Sequence, residues 1–384
     1  MLEISNNGDT RSYEKYFGIQ LRRIFKSNPK PLIGLDLGNT SLKWVELAQD
    51  DKAGLVLERC VMEPLQAGWM VAGHIAQFDE VAVALRRLIK TSGSRTRQVA
   101  LAMPDSAVIV SKIRLPSDLG ETELLRQVAA EVERLSGKPL ADMRVDYKVQ
   151  DRVHEAKMGA EVDVWIAAAT KEKVQDRLGL AEAAGLEAVI LDVEAEASML
   201  AARRLVRAQH SASANPVMAL IQVDAAGYSL HVSYQGEVVH TARKPVESAH
   251  LTKHGAQAYE RDESNDLGAE VHQCKEALPD AYTQAVLQTF IHTLADSVAS
   301  DLDGFLSASS HRKMDSILLA GGSPWLPVLQ KALKQRTFSD CLLVDTFSGM
   351  RVHEAIQNAP FHSVGRSSML TACGLALRRF HGSC

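Results

Sequence analysis

Three consecutive segments near the start of the chain are strand-like runs rich in apolar residues and separated by turn residues, a pattern that predicts a meander of β-strands. The segments PLIGLDL, SLKWVELAQ and GLVLERCVMEP lie within residues 31–64. Gly38–Asn39 and Asp51–Lys52 provide the turns between them. An amphipathic helix over 77–92, which ends at Gly93, and a strand over 98–104 are predicted to follow.

The middle of the chain, residues 105–190, mixes strand-like and helix-like periods, which predicts an α+β module. A polar break at 207–215 indicates a domain boundary, and a second set of three strand-like segments follows it. Residues 250–270 contain few apolar side chains, so we expect a mobile loop there. The rest predicts a long helix over 280–309, a strand that runs into a Gly-rich turn, and a helix over 366–380.

The same plan therefore occurs twice. In each copy a strand ends in an aspartate, a polar turn follows, and then come two more strands and helices. Asp36 begins the first copy and Asp224 the second. The two copies barely align in sequence, so the pattern predicts a duplicated topology rather than a sequence repeat.

The N-terminal segment 13–26 has apolar residues at helical spacing, surrounded by basic ones, and predicts a short amphipathic helix. It could touch a membrane surface or a partner. Packing of the apolar stripe on its own domain is the more common arrangement for such helices.

Composition narrows the class of protein. The 384 residues are 46% hydrophobic and 23% charged, as in ordinary globular proteins, and allow two or more domains. A formal net charge of −4 argues against a general nucleic-acid binder. Five cysteines without CxxC spacing indicate free thiols in a reducing compartment. No run of about 18 apolar residues predicts a transmembrane helix, and the first residues do not resemble a secretory signal.

The stretch GLDLGNTSLK, residues 34–43, places a carboxylate inside an apolar strand and follows it with small polar residues. A hairpin with a polar turn is the plain interpretation. The alternative is a phosphate site, because glycine lets backbone N–H groups approach an anion closely. In that case the turn residues contact phosphate and the Asp36 carboxylate holds a hydrated Mg²⁺. The candidate residues of this stretch are Asp36, Gly38, Asn39, Thr40, Ser41 and Lys43.

Two further stretches fit the same chemistry. VDAAGYS offers Asp224 as a second metal carboxylate, with Gly227 in its turn. ILLAGGSPW offers Gly321, Gly322 and Ser323 at a strand end before a helix, a place suited to a nucleotide base or α-phosphate. The three stretches together favour a nucleotide, whereas the absence of GxxxxGK[ST] and GxGxxG disfavours P-loop and Rossmann sites.

Other clusters are weaker candidates. His250 and His254 have helical spacing but no evident third ligand for a metal. Glu194 and Glu196 follow a strand end, where one could orient a water molecule or simply begin a solvated helix.

The Asp36, Asp224 and Gly321–Gly322 elements resemble the phosphate 1, phosphate 2 and adenosine motifs of the actin/Hsp70/sugar-kinase superfamily. Within it, the chain resembles the PilM family of type IV pilus assembly proteins, relatives of the cell-division protein FtsA. The closer match is carried by residues 34–47, 99–116, 162–197, 317–329 and 372–378, and the likeness spans about 31–380.

The resemblance implies an α/β, actin-like, two-lobed fold of duplicated ribonuclease-H-like domains with an FtsA-type α+β inserted subdomain. The implied division is an N-terminal tail, domain 1, the inserted subdomain and domain 2. Their residues are 1–30 for the tail, 31–97, 191–214 and 345–384 for domain 1, 98–190 for the insert, and 215–344 for domain 2.

The resemblance also implies ATP or ADP with Mg²⁺ in the cleft, and weak ATPase activity at most. The implied role is a cytoplasmic adaptor at the inner membrane that binds the N-terminal tail of a PilN-like protein. PilO, the platform protein and the assembly ATPases are implied neighbours, and self-association is a further option. No nucleic-acid partner is implied.

Two other functions remain open from the sequence. A small-molecule kinase or ATPase of the same superfamily would usually have a larger substrate lobe and a catalytic Asp in the first domain. An FtsA-like polymer would use the 13–26 helix as its membrane anchor. The second phosphate motif departs from the family pattern, since Ala226 stands where glycine is usual, and a side chain there narrows the approach to a phosphate.

Overall fold

The computed structural model describes residues 31–50, 54–149, 160–209, 216–224, 227–245, 281–357 and 363–380. The predicted helix at 13–26, the loop at 250–270, the pair His250 and His254, and Ala226 lie outside these residues.

The first lobe is built on a six-stranded sheet. Its strand order is β10-β6-β1-β2-β3-β16, with the first three strands of the chain antiparallel and the others joined in parallel. The strands are β1 Ile33–Leu37, β2 Ser41–Asp50, β3 Gly54–Pro64, β6 Gln98–Met103, β10 Glu187–Val193 and β16 Arg351–Val352. Every residue of β1 is buried, which explains why it reads as a continuous apolar run interrupted by one aspartate.

The second lobe repeats this arrangement. Its five strands follow the order β13-β12-β11-β14-β15, again a three-strand meander continued by two parallel strands. They are β11 Met218–Asp224, β12 Gly227–Tyr234, β13 Glu237–Pro245, β14 Ser316–Gly321 and β15 Cys341–Leu343. The order β3-β2-β1-β6-β10 of the first lobe matches it strand for strand, so the predicted duplication is confirmed.

Helices cover both faces of each sheet. They are α1 Phe78–Ser92, α2 Glu121–Ser136, α3 Lys171–Ala183, α4 Glu194–Gln209, α5 Ala281–Ala308, α6 Leu326–Thr337, α7 Glu354–Gln357, α8 Ser363–Ser367 and α9 Leu370–Leu377. α1 and α3 bury their apolar faces on the outside of the first sheet, and α5 and α6 do so on the second. α4 and α9 share one apolar core with residues of both sheets and therefore join the two lobes.

A smaller α+β unit has its own core. Its three-stranded antiparallel sheet has the order β7-β9-β8, with β7 Val108–Pro116, β8 Met143–Val149 and β9 Glu161–Thr170. Leu124, Val128 and Val132 of α2 pack on Val164 and Ile166 of β9. A separate two-stranded hairpin, β4 Met70–Val71 with β5 His74–Ile75, precedes α1.

The structure differs from two sequence predictions, one about the bounds of the insert and one about the last helix. The predicted inserted subdomain, 98–190, includes β6 and most of β10, yet both strands pair in the sheet of the first lobe. The separate sheet extends only from Val108 to Thr170, and we propose these narrower bounds for the insert. The single helix predicted over 366–380 is divided, since α8 ends at Ser367 and α9 begins at Leu370.

None of the helices in the described residues combines the length and apolar character that crossing a membrane requires.

Candidate functional site

The carboxylate of Asp36 is stabilised by a lysine on the neighbouring strand. Asp36 and Lys43 are directly opposite in the β1–β2 pairing, and Lys43 Nζ donates to Asp36 Oδ2 at 2.9 Å. The two side chains are only 12% and 15% exposed. Because an unpaired charge at such a depth is strongly unfavourable, this ion pair explains how an aspartate is accommodated in an apolar strand.

The residues predicted to bind phosphate have two different roles in the turn between these strands. Gly38 N donates to Ser41 O at 3.1 Å, and the Asn39 Oδ1 accepts a hydrogen bond from Gly73 N at 2.8 Å. Ser41 is buried, whereas Thr40 is exposed. Asn39 and Ser41 therefore support the turn, and Thr40 keeps its hydroxyl at the surface.

The second lobe presents its aspartate at the corresponding position. Asp224 ends β11 opposite Gly227, which has a φ of 152°. Arg243 of β13 donates from Nη2 to Asp224 Oδ2 at 3.1 Å, and its Nη1 lies 3.9 Å from Glu194 Oε2. Glu194 is the first residue of α4, so Arg243 connects carboxylates of the two lobes.

Charges from both lobes converge on Lys43. Burial alone would lower the pKa of Lys43, but the carboxylates of Asp36, Glu194 and Asp224 together raise it above its ordinary value. Burial also raises the pKa of Glu194 to about 7, with Asp105, Asp36 and Asp224 acting in the same direction and Arg243 against them. The site thus contains a carboxyl group that can accept or release a proton near neutral pH.

The third predicted turn lies at the end of β14, next to β11. Gly321 N donates to the hydroxyl of Ser367 at 3.2 Å, which fixes the turn against α8. Gly322 is exposed, and a side-chain carbon added there would meet Ser368 only at 3.7 Å. Ser323 O accepts a hydrogen bond from Leu326 N at the start of α6. Gly322 therefore leaves open space beside a helix N-terminus.

These residues fit a nucleotide with Mg²⁺ in their chemistry. A side-chain carbon at Gly38 would lie 3.1 Å from Lys43 Nζ and 2.9 Å from Ser41 O, so glycine keeps the approach to the ion pair open. In the part of the chain that is described, no three His, Cys, Asp or Glu side chains are arranged to hold a metal ion. Mg²⁺ commonly takes one or two carboxylates and completes its shell with water and phosphate oxygens, so Asp36 and Asp224 would be its protein ligands.

A second concave region lies where the first lobe meets the inserted unit. It is a shallow pocket lined by the β4–β5 hairpin, the segment after β6 and one side of α3. The residues that line it include Gly73, Met103, Ala107, Lys173 and Arg177. Arg177 is 5% exposed and donates to Gly73 O, so a buried guanidinium fixes the hairpin on α3.

Sequence reasoning missed Arg243 and Arg177 and left Glu194 undecided. Both arginines are single basic residues inside strand or helix patterns, which in a sequence look like solvated surface charge. A detectable signal existed only for Arg243, which lies two residues before the proline that ends a predicted strand in the second copy of the repeated plan.

Two sheets of identical strand order, joined by α4 and α9 and carrying aspartates at corresponding turns, define an actin-like fold. A chain of the structure described as the "PilM-PilN type IV pilus biogenesis complex" is similar in fold, with a TM-score of 0.71 and 22% identity. That likeness covers 91% of this chain and 98% of the other.

Two weaker likenesses have TM-scores below 0.5. EutJ, an ethanolamine utilization protein from Carboxydothermus hydrogenoformans, scores 0.49 at 14% identity, over 92% of this chain and 91% of EutJ. A Bacteroides thetaiotaomicron protein with an actin-like ATPase fold scores 0.41 at 9% identity, over 89% and 97%.

The particular family follows from the sequence profile described as "Type IV pilus assembly protein PilM", which matches residues 34–380. The chain belongs to this family, and the resemblance identified from its motifs is confirmed.

Proposed function

We propose that this protein is a cytoplasmic, nucleotide-binding adaptor of a type IV pilus inner-membrane complex, and that it binds the N-terminal tail of a PilN-like membrane protein. The observation that carries the proposal is the family match over residues 34–380. The fold likeness to a chain of a PilM–PilN complex supports the choice of partner. PilO, the platform protein and the assembly ATPases would be neighbours in the same complex.

The pocket between the first lobe and the insert is the proposed place for the partner's tail. An extended peptide needs backbone partners and small pockets for alternate side chains, and this region offers both an exposed hairpin and a concavity. Ala107 supplies apolar surface and packs on buried Met103, and Lys173 supplies charge. Rigid support from Arg177 keeps the hairpin in place without the partner.

Calorimetric titration with a peptide of the cognate PilN-like N-terminal tail tests the partner. The wild-type protein should bind it, and Ala107→Trp should weaken binding at least about tenfold because the indole fills the pocket. Ala141→Trp, at an exposed position of the insert outside the pocket lining, is the matched control and should bind normally. No binding to the wild-type protein would refute the adaptor role.

The cleft is the proposed place for Mg·ATP or Mg·ADP. Asp36 and Asp224 would hold the cation, while Lys43 and the backbone after Asp36 would contact phosphate, and the Gly321–Gly322 turn would contact the nucleoside. The bound nucleotide would bridge the two lobes, because its protein contacts come from both. The role of the nucleotide would then be to set the lobe arrangement.

The nucleotide proposal is tested by measuring Mg·ATP binding to Asp36→Asn, which keeps the size of the side chain but not its charge. We expect a loss of about tenfold or more, since a metal carboxylate is removed. Asp50→Asn, at the exposed end of β2, is the control and should bind like the wild type. Equal affinities of wild type and Asp36→Asn would overturn the assignment of Asp36.

A further inference from the structure

Arg243 has a defined position at the end of β13. It pairs with Ser229 of β12, and the next position, Lys244, pairs with Tyr228. Successive side chains of a strand point to opposite faces of its sheet. Arg243 therefore faces α4 and the first lobe, whereas Lys244 faces α5.

Contacts on the α5 side fix this end of the strand. Lys244 forms an ion pair with Asp301 of α5, and Tyr228 OH donates to Asp301 Oδ2 at 2.5 Å. Gly227 packs tightly on Lys244, since a side-chain carbon at Gly227 would be 2.1 Å from Lys244 O. These contacts on the α5 side of the sheet thus fix the backbone that carries Arg243, and none of them involves a side chain on the cleft side.

On the cleft side, Arg243 contacts one carboxylate from each lobe. Its guanidinium lies 3.1 Å from Asp224 Oδ2 and 3.9 Å from Glu194 Oε2, and its side chain is 27% exposed. The contact with Asp224 is a hydrogen bond, while that with Glu194 is longer and purely electrostatic. The weaker of the two contacts is the one that crosses between the lobes.

We propose that Arg243 is a phosphate-binding residue of the cleft, which exchanges its contact with Glu194 for a terminal phosphate of the bound nucleotide. The proposal rests on the nucleotide-binding part of the proposed function and assigns to it a residue outside the recognised motifs. Guanidinium groups bind phosphate through paired, charge-assisted hydrogen bonds, which are stronger than a 3.9 Å ion pair. Arg243 also remains anchored by Asp224 during the exchange.

Glu194 opposes nucleotide binding under this proposal. It competes with phosphate for Arg243, and its own charge repels phosphate oxygens at the same place. Release of Glu194 from Arg243 also removes a contact between α4 and the second lobe. Nucleotide binding would therefore loosen one inter-lobe contact while the nucleotide itself adds others.

The experiment is calorimetric titration of the full chain with Mg·ATP and with Mg·ADP. Arg243→Gln should weaken Mg·ATP binding about tenfold or more, and Arg243→Lys should fall between it and the wild type, because lysine keeps the charge but not the paired donors. Arg351→Gln is the matched control, since Arg351 is exposed and pairs with Asp50 far along the first sheet. Melting temperatures of the variants verify that each is folded.

Glu194→Gln is the second variant and should strengthen Mg·ATP binding about threefold or more, a sign opposite to that of a lost phosphate or metal ligand. Unchanged affinity in folded Arg243→Gln, or weaker affinity in Glu194→Gln, would overturn the assignment of Arg243 while leaving the nucleotide proposal intact. If wild type binds neither nucleotide, the nucleotide proposal fails and this inference fails with it. Asp36→Asn separates these cases, because it should weaken binding whatever the role of Arg243.

Discussion

Asp36 and Glu194 lie in the same cleft, but their surroundings stabilise the negative charge of Asp36 more than that of Glu194. Asp36 accepts a 2.9 Å hydrogen bond from Lys43, its direct neighbour across the hairpin. Glu194 has Arg243 only at 3.9 Å, and burial, together with three neighbouring carboxylates, raises its pKa. Asp36 is thus held in a hydrogen-bonded ion pair, whereas the carboxyl group of Glu194 changes its protonation state near neutral pH.

The Glu194 carboxyl makes stability depend on pH. Its pKa is raised from 4.5 to about 7 in the folded protein, so the stability contributed by the protonated form is complete below pH 4.5 and disappears as the pH rises through 7. Glu194→Gln removes this dependence. We expect the variant to melt roughly 2–4 °C above wild type at pH 8, with a difference near zero at pH 4.5.

Thermal melts of both proteins between pH 4.5 and pH 8 measure that difference directly. A Glu194→Gln protein that melts below wild type at pH 8 would show that the ionised carboxylate stabilises the cleft.

The Lys43–Asp36 pair is predicted to matter far more than an exposed ion pair. Lys43→Met leaves the carboxylate of Asp36 buried without its partner, so we expect a loss of about 3 kcal/mol in the free energy of unfolding. Lys334→Met is the matched control, because the side chains of Lys334 and Asp340 are more than half exposed, so the loss of this ion pair should cost far less stability. Urea denaturation compares the two, and equal losses would contradict the prediction.

At the scale of the element, the sequence predicted most strands and helices, because their periods and turn residues are local. Examples are the end of α1, which stops just before Gly93, and the three turns with candidate chemistry. The predicted bounds of the insert include β6, which pairs in the sheet of the first lobe, because a buried strand has the same apolar pattern whichever sheet it joins. The contact between Arg243 and Glu194 was also beyond reach, because it depends on how two lobes distant in sequence pack together.

Two glycines test the packing of helices. A side-chain carbon at Gly374 of α9 would lie 1.7 Å from Ala197 O of α4, so Gly374→Ala forces these helices apart. We expect a loss of about 3 kcal/mol in the free energy of unfolding. Gly304 of α5 has no atom within 4 Å of the same position, so Gly304→Ala should stabilise the protein by about 0.5–1 kcal/mol.

Chemical denaturation of the two variants is the measurement. If Gly374→Ala lost no free energy of unfolding, α4 and α9 could move apart freely, and the close packing between these helices would not matter for stability.

At the scale of the whole molecule, the insert contacts the second lobe as well as the first. Trp165 Nε1 of β9 donates to Glu237 Oε1 at 3.2 Å, and Lys112 Nζ lies 3.7 Å from Glu237 Oε2 and 5.0 Å from the centre of the Trp165 ring. Glu237 begins β13, the strand that carries Arg243 near its other end. The insert and the proposed nucleotide cleft are therefore linked by one strand.

Loss of the Glu237 contact should release the insert without unfolding either lobe. We expect Glu237→Ala to increase acrylamide quenching of Trp165, measured with the other three tryptophans replaced by phenylalanine. The melting temperature should change by no more than about 2 °C, because the contacts are partly exposed. Glu161→Ala, at a glutamate of β9 that lies beside exposed Arg114, is the control and should leave quenching unchanged.

The chain enters and leaves the insert at neighbouring points. Val108, the first residue of β7, pairs with Ala169, the second-last residue of β9. Directly opposed residues of antiparallel strands have Cα atoms about 5 Å apart, so a few residues could close the gap if the whole insert were removed. Such a module can be exchanged between relatives during evolution while the sheet that receives it keeps its register. Specificity for the proposed PilN-like partner could then diversify in this family independently of the proposed nucleotide cleft.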